Sequence, residues 1–318
     1  MTNPTIIAVG ELLVEFVSHR KGCELLSLSE YSGPYPSGAP AICIDQAARV
    51  GAATQLFGAV GADNFGTALI NRLQSIGVNI TGISRLENKS TGVAFVSYFE
   101  DGSRTFIFHL NNTAADAIPQ NELVLPDGPL IMHVSGSSLG NPQLRSAIER
   151  AAAGVIQQGG EISCDPNARP ELMSNKEVKV ALTGLIEKSS YLFPSDSDLE
   201  FLYPECSQEQ AVARLLDSGV RTVALTRGKD GSTVFTKGND PLHLSGHAVD
   251  EIDPTGAGDC YCGTFLAMTA KGESIETSGR YANAAGALAV TRRGPMEGNS
   301  SLQTIEAFIK DNPAIAAA

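Results

Sequence analysis

The 318-residue chain contains no tryptophan, and aromatic residues make up 6% of it. Charged residues are also sparse at 18%, and acids outnumber bases 35 to 23, for a formal net charge of −12. A field of that sign repels nucleic-acid backbones and anionic lipid surfaces, so neither a nucleic acid nor a membrane is expected as partner. No stretch reaches the ~20 apolar residues of a membrane span. No signal peptide is expected either, because Met1 to Pro4 lead without a basic stretch into Ile6-Ile7-Ala8-Val9-Gly10. The six cysteines, Cys23, Cys43, Cys164, Cys206, Cys260 and Cys262, include no C-x-x-C pair. Cys260 and Cys262 would point to different sides of a helix, so the expected state is free thiols in a reducing cytoplasm. The five histidines have no zinc-ligand spacing. These absences leave an acidic α/β-type chain, 42% hydrophobic and long enough for one large domain with a substantial core.

One stretch organises the rest: Asp253-Pro254-Thr255-Gly256-Ala257-Gly258-Asp259. Pro254 cannot lie inside a helix, whereas Cys260 to Met268 carry few charges and read as a buried one. The Gly-Ala-Gly run is therefore the first turn of that helix, where unpaired N–H groups at the positive dipole end form an anion site. Asp259 beside it reads in two ways. It is either an acid favoured by the helix dipole, or a base that takes a hydroxyl proton while the amides hold developing charge.

The full string, with its small-residue helix, closely resembles the C-terminal signature of the ribokinase-like (PfkB) carbohydrate kinases. The resemblance implies that Asp259 is the catalytic base and that Gly256, Ala257 and Gly258 supply the anion hole. It also implies a central, mostly parallel α/β sheet flanked by helices, with a small β lid. The lid would draw on about residues 12–35 and 90–110 of a single domain, 1–318.

Further motifs follow in the family's order from Gly10 to Gly294. Thr5 to Val9 is a buried strand, and Leu12 to Val17 continue as strand. Glu15 is either a solvent-facing strand position or, by the resemblance, the acid that binds a sugar hydroxyl. Ser37-Gly38-Ala39-Pro40-Ala41-Ile42 resembles the family's Gly-Gly-Ala-Pro-Ala-Asn entry to a helix and places Gly38 at the sugar. Ser37 and Ile42 depart from that pattern. Phe57 to Gly66 resembles the Val-Gly-x-Asp-x-Phe-Gly segment, and Asp63 reads as a helix cap. Gly92 to Phe99 and Thr105 to Phe108 form a hairpin around Asp101-Gly102. Parallel cores rarely carry tight hairpins, so this pair is expected in the lid, which in the family closes over sugar and often carries a homodimer contact. Arg104 is either a solvated turn cation or a substrate contact.

From Leu130 onward strands and helices alternate regularly. Asp165-Pro166-Asn167-Ala168-Arg169 stands past a strand's carboxyl end, where ligands of open sheets bind. The string resembles the branch containing fructokinases and 2-keto-3-deoxygluconate kinases, implying that Asn167 and Arg169 contact substrate or phosphate. Ser195 and Asp198 stand where the family has Asn-x-x-Glu, which implies nucleotide contact for Ser195 and water-mediated magnesium for Asp198. Thr226, Gly228 and Gly231 match the nucleotide turn, with Gly256 and Gly258 also at the phosphates and Asn283 bordering adenine. The carbonyls of Asp253, Thr255, Val290 and Arg293 would cradle a monovalent cation such as K+.

The expected reaction is transfer of the γ-phosphoryl group of ATP, with Mg2+, to a primary hydroxyl of a small-molecule sugar. A ketose or 2-keto sugar acid fits best, as in fructokinase, tagatose kinase or 2-keto-3-deoxygluconate kinase. A nucleoside kinase of the same fold and a non-catalytic sugar-binding homologue are the alternatives. A Rossmann dehydrogenase is excluded because Gly10-Glu11-Leu12 does not offer G-x-G-x-x-G.

Overall fold

Strand β1 (Thr5–Val9) shows how the sheet is buried from both sides. Its Ile6 and Ala8 join one apolar cluster and Ile7 and Val9 join the other, because successive side chains of a strand point to opposite faces. A computed structural model of the protein describes residues 2–100, 103–118, 123–168 and 174–314. The Asp101-Gly102 turn and Arg169 therefore lie outside the described residues.

The large sheet has nine strands in the order β13-β12-β11-β10-β9-β8-β1-β4-β5. These are β4 (Thr54–Gly61), β5 (Asn79–Leu86), β8 (Leu130–Ser135), β9 (Glu161–Asp165), β10 (Tyr191–Leu192), β11 (Thr222–Thr226), β12 (Ser232–Thr236) and β13 (Leu242–Leu244), with β1 between β8 and β4. Pairing is parallel from β5 through β11, and β12 and β13 extend it antiparallel at one edge. The chain winds outward from β1 to β5, then returns to β8 and winds the other way. The crevice past the carboxyl ends of β1 and β8 is thus the switch point, where open α/β sheets bind ligands.

Helices cover both faces. On one side lie α1 (Ala39–Arg49), α2 (Asn64–Ser75), α7 (Ala257–Ala270), α8 (Ile275–Ala289) and α9 (Leu302–Asp311). On the other lie α3 (Pro142–Gln157), α4 (Lys176–Ile186), α5 (Asp196–Leu202) and α6 (Gln208–Ser218). Small residues let α7 press against α1 at backbone contact, for a Cβ on Gly263 would sit 2.3 Å from the Cys43 carbonyl. No helix among the described residues is long and apolar enough to cross a membrane.

A second sheet of four strands has the order β3-β2-β6-β7, built from β2 (Leu13–Ser18), β3 (Tyr31–Ser37), β6 (Gly92–Tyr98) and β7 (Arg104–His109). β6 and β7 form the expected hairpin, and it leaves the large sheet. Phe16 of β2 anchors the small sheet, meeting Phe65 of α2 edge-on at 5.9 Å and stacking on Phe95 at 5.5 Å.

Candidate active site

Of the nine helices among the described residues, seven begin with a side chain that accepts a first-turn N–H. The two that do not are α1, which starts at Gly38, and α7, which starts at Gly256. No side chain caps the first turn of α7, which lies at the positive end of the helix dipole, and the Ala257 N–H donates to the Pro254 carbonyl at 3.4 Å. Gly256 adopts φ 83°, and a Cβ there would lie 2.5 Å from the Pro295 carbonyl and 3.3 Å from Cγ2 of Ile42. Only glycine fits this turn without moving it. Gly258, two residues on, is exposed and has nothing within 4 Å of where its Cβ would be. Asp259 follows, 8% exposed and still in the first turn. A buried carboxylate thus stands beside a helix start without a side-chain cap and beside open space.

The carboxyl end of β9 lies close by. Burial pushes up the Cys43 thiol first, and the negative charges of Asp259 and then Asp165 push it further, so α1 places this thiol within reach of both carboxylates. Asp165 accepts the Asn167 N–H at 3.0 Å, and this tight turn holds Asn167 at φ 38°. Across the switch point the Ser138 hydroxyl donates to Glu11 at 2.5 Å. Glu15 is 2% exposed rather than facing water, and it accepts from Ser37 Oγ at 3.4 Å. Gly38, at φ 112°, lets α1 start against the end of β1, since a Cβ there would meet the Glu11 carbonyl at 2.4 Å. The structure therefore groups Glu11, Glu15 and Gly38 between the two sheets.

Asp253, 1% exposed, ties the turn to its surroundings. Its Oδ1 accepts the Thr255 N–H at 3.0 Å and the Tyr98 hydroxyl, while Oδ2 accepts the Gly294 N–H at 2.9 Å. Tyr98 Oη also lies 2.6 Å from Thr255 Oγ1, and Arg104 Nη1 donates to that Oγ1 at 3.3 Å. Arg104 is exposed and spreads over the Phe106 ring at 5.4 Å. The hairpin of the small sheet thus reaches the turn directly. Tyr98 escaped the sequence reading because its partner is 155 residues away and no local pattern announces it.

A second loop faces the same side of the large sheet. Thr226 N–H donates to the Pro194 carbonyl at 2.9 Å, which sets Thr226 to Gly231 beside the start of α5. Gly228 is open, whereas Gly231 lies backbone to backbone with Leu244, Ser245 and Gly246. Asn283 braces that segment from α8, its amide donating to the carbonyls of Leu244 at 3.0 Å and Ser245 at 3.3 Å.

The pfkB family carbohydrate kinase model matches residues 4–302. The chain belongs to the PfkB family.

Among its relatives, maize fructokinase-2 is 30% identical over 96% of this chain and 94% of that protein. A protein of E. coli described as a ribokinase II is 40% identical, with a TM-score of 0.92, over 97% of this chain and 99% of that one. The same E. coli protein has also been solved with ATP and Mg2+. A fructokinase of Vibrio cholerae, solved with fructose, ADP and calcium ion, is 26% identical with a TM-score of 0.84, over 96% of this chain and 98% of that one. PfkB enzymes are phosphotransferases that act on a sugar hydroxyl, and the architecture here is theirs: a mostly parallel sheet flanked by helices, with a second small sheet.

Within that PfkB frame several of the expected residues also hold neighbouring backbone. Ser195 and Asp198 form a capping box on α5: Asp198 Oδ2 accepts the Ser195 N–H at 2.7 Å and its hydroxyl at 2.6 Å, and Oδ1 accepts the Ala168 N–H at 2.7 Å. Both oxygens of this 6%-exposed carboxylate thus hold backbone at the start of α5, beside the Thr226–Gly231 loop. The S-x-x-D spacing is itself a capping signature, and that signal was available in the sequence. The Asn283 amide donates to the loop after β13 and so braces the segment where adenine is expected. The Val290 carbonyl accepts the N–H of Ile252 at 2.8 Å and of Asp253 at 3.1 Å, which ties the end of α8 to the segment before the turn.

Proposed function

We propose that the protein transfers the γ-phosphoryl group of ATP to a terminal primary hydroxyl of a ketose or a 2-keto sugar acid. The observation that carries this reading is the first turn of α7: amides without a side-chain cap, open space over Gly258, and the Asp259 carboxylate one residue on. Asp259 takes the acceptor's hydroxyl proton as that oxygen bonds to phosphorus and the bond from phosphorus to the β-phosphate bridge oxygen breaks. The amides of Gly256, Ala257 and Gly258 face the charge that develops on the transferring group. The Thr226–Gly231 loop and the Asn283-braced segment seat the nucleotide. Glu11, Glu15 and Gly38 line the sugar side, with Asn167 at its edge, and the small sheet is the lid over it.

The E. coli relative's complex with ATP and Mg2+ supports the choice of donor and metal. Among the described residues no group of three or more His, Cys, Asp or Glu could hold a metal ion. That fits magnesium, which keeps its waters and binds chiefly through substrate phosphates. Bound there, the ion neutralises charge on the phosphate oxygens. A monovalent cation would draw on the carbonyls of Asp253, Thr255, Val290 and Arg293. Tyr31, Ile107 and Phe108 are exposed on the small sheet, and they suit a second copy of the chain as the partner there.

A panel of ketoses, pentoses, 2-keto sugar acids and nucleosides, assayed with ATP and Mg2+ by ADP release, tests the reading. Turnover of a ketose or a keto-sugar acid is the expected result. Turnover of nucleosides alone overturns it.

A further inference from the structure

Tyr98 stands at the carboxyl end of β6, directly across the hairpin from Arg104. Nothing in the fold of the small sheet requires its hydroxyl, because that sheet is anchored by β2 and β3 and by the Phe16 contacts, while β7 is the outer strand. The hydroxyl instead meets the loop before α7, touching Asp253 Oδ1 and lying 2.6 Å from Thr255 Oγ1. Asp253 gathers donors from three separate segments: Tyr98 from the small sheet, Thr255 from the turn, and Gly294 from the loop after α8. Thr255 is the residue before Gly256, and its side-chain and N–H contacts hold the peptide that begins the anion hole. Burial and then the Asp253 charge push the Tyr98 phenol well above its usual range, which leaves it a proton donor to the carboxylate.

We propose that Tyr98 is a positioning residue that joins the small sheet to the catalytic turn, so that the hairpin's position sets the alignment of the α7 amides and Asp259. In this arrangement the Tyr98 hydroxyl, Asp253 and Thr255 act as one unit. With the hairpin seated, Asp253 has all three donors and the turn is held. With the hairpin lifted, Asp253 loses the phenol, Thr255 loses both Tyr98 and Arg104, and the turn is free to drift. Sugar bound beneath the small sheet and phosphate bound at the turn would then sense each other through this contact. The inference rests on the kinase reading above.

The test combines Tyr98→Phe and Thr255→Val with their double variant in steady-state kinetics on the best sugar from the panel. Each single variant is expected to lower kcat about tenfold or more while the KM for ATP stays within about twofold, since a misaligned turn costs turnover rather than nucleotide binding. The double variant is expected to lose no more than the worse single one, because both remove the same contact. Wild-type kcat in Tyr98→Phe, or losses that multiply in the double variant, would overturn the proposal. If Tyr98→Phe does not fold, Thr255→Ser against Thr255→Val decides: activity kept by Ser and lost by Val supports the contact, and equal activity refutes it. A wild-type protein that phosphorylates no member of the panel removes the kinase reading itself, whereas an active wild type with an unaffected Tyr98→Phe removes only the role of Tyr98.

Discussion

Gly256 and Gly258 lie two residues apart in one turn, yet adding a methyl group to each should act in opposite ways on stability. At Gly256 the backbone is left-handed, φ 83°, and the new Cβ would lie 2.5 Å from a carbonyl oxygen. The left-handed conformation alone costs about 1–2 kcal/mol for an L-residue, and the overlap must be relieved by moving backbone, so Gly256→Ala should lose about 2–4 kcal/mol. At Gly258 the conformation is helical and nothing lies within 4 Å of the added atom. Alanine is the better helix former there, so Gly258→Ala should gain about 0.5–1 kcal/mol, or about 1–2 °C in Tm for a chain of this size. On the proposed kinase reading, that open space is also where the phosphates bind. A methyl group in it displaces them by the order of an ångström, which costs about 10²-fold in kcat/KM. Thermal or urea unfolding alongside steady-state kinetics reads both quantities. A Gly258→Ala protein that is more stable and nearly inactive is the expected outcome. One that turns over like wild type would show that the phosphates do not lie over this turn.

Three further perturbations follow from the same structure. Gly228→Val puts a branched side chain at φ 54° into the open side of the nucleotide loop, and should raise the KM for ATP more than that for sugar; equal effects would place the nucleotide elsewhere. His133 is fully buried against Ser163, and burial lowers its pKa to about 4, so the folded protein excludes a proton that the unfolded chain takes up below about 6.5. Stability should therefore fall by about 3 kcal/mol as pH drops from 6.5 to 4, and urea titrations should show a shallower fall in His133→Gln. Arg104→Lys replaces a two-pronged donor with a point charge, and should weaken a sugar-acid substrate about tenfold more than a neutral ketose, as KM comparisons would show.

How far the sequence could be read depended on the range of each interaction. β1 was legible from its own apolar run, and the β6–β7 hairpin from its alternation and turn. The helix after Asp259 could be read because eleven of its residues are buried, which leaves few charges to interrupt the pattern. The cap role of Asp63 was legible too, and the structure shows its Oδ1 accepting the Gly66 N–H at 2.8 Å. Long-range contacts were not. Asp253 meets Tyr98 and Gly294 across 155 and 41 residues, and only the folded chain brings them together. Ser195 and Asp198 read two ways for a different reason: a polar pair three residues apart at a strand end serves equally well as a helix cap or as a ligand set, and the structure shows the cap. The backbone partners of Asn283, 39 and 38 residues away, were equally out of reach of local pattern.

The central claim is that Asp259 is the base of a phosphoryl transfer. Asp259→Asn keeps the side chain's size and removes its ability to accept a proton. Measured on the best sugar with ATP and Mg2+, kcat should fall by about 10²–10⁴ with little change in sugar affinity, the range for losing a general base. Turnover near that of the wild type would contradict the account.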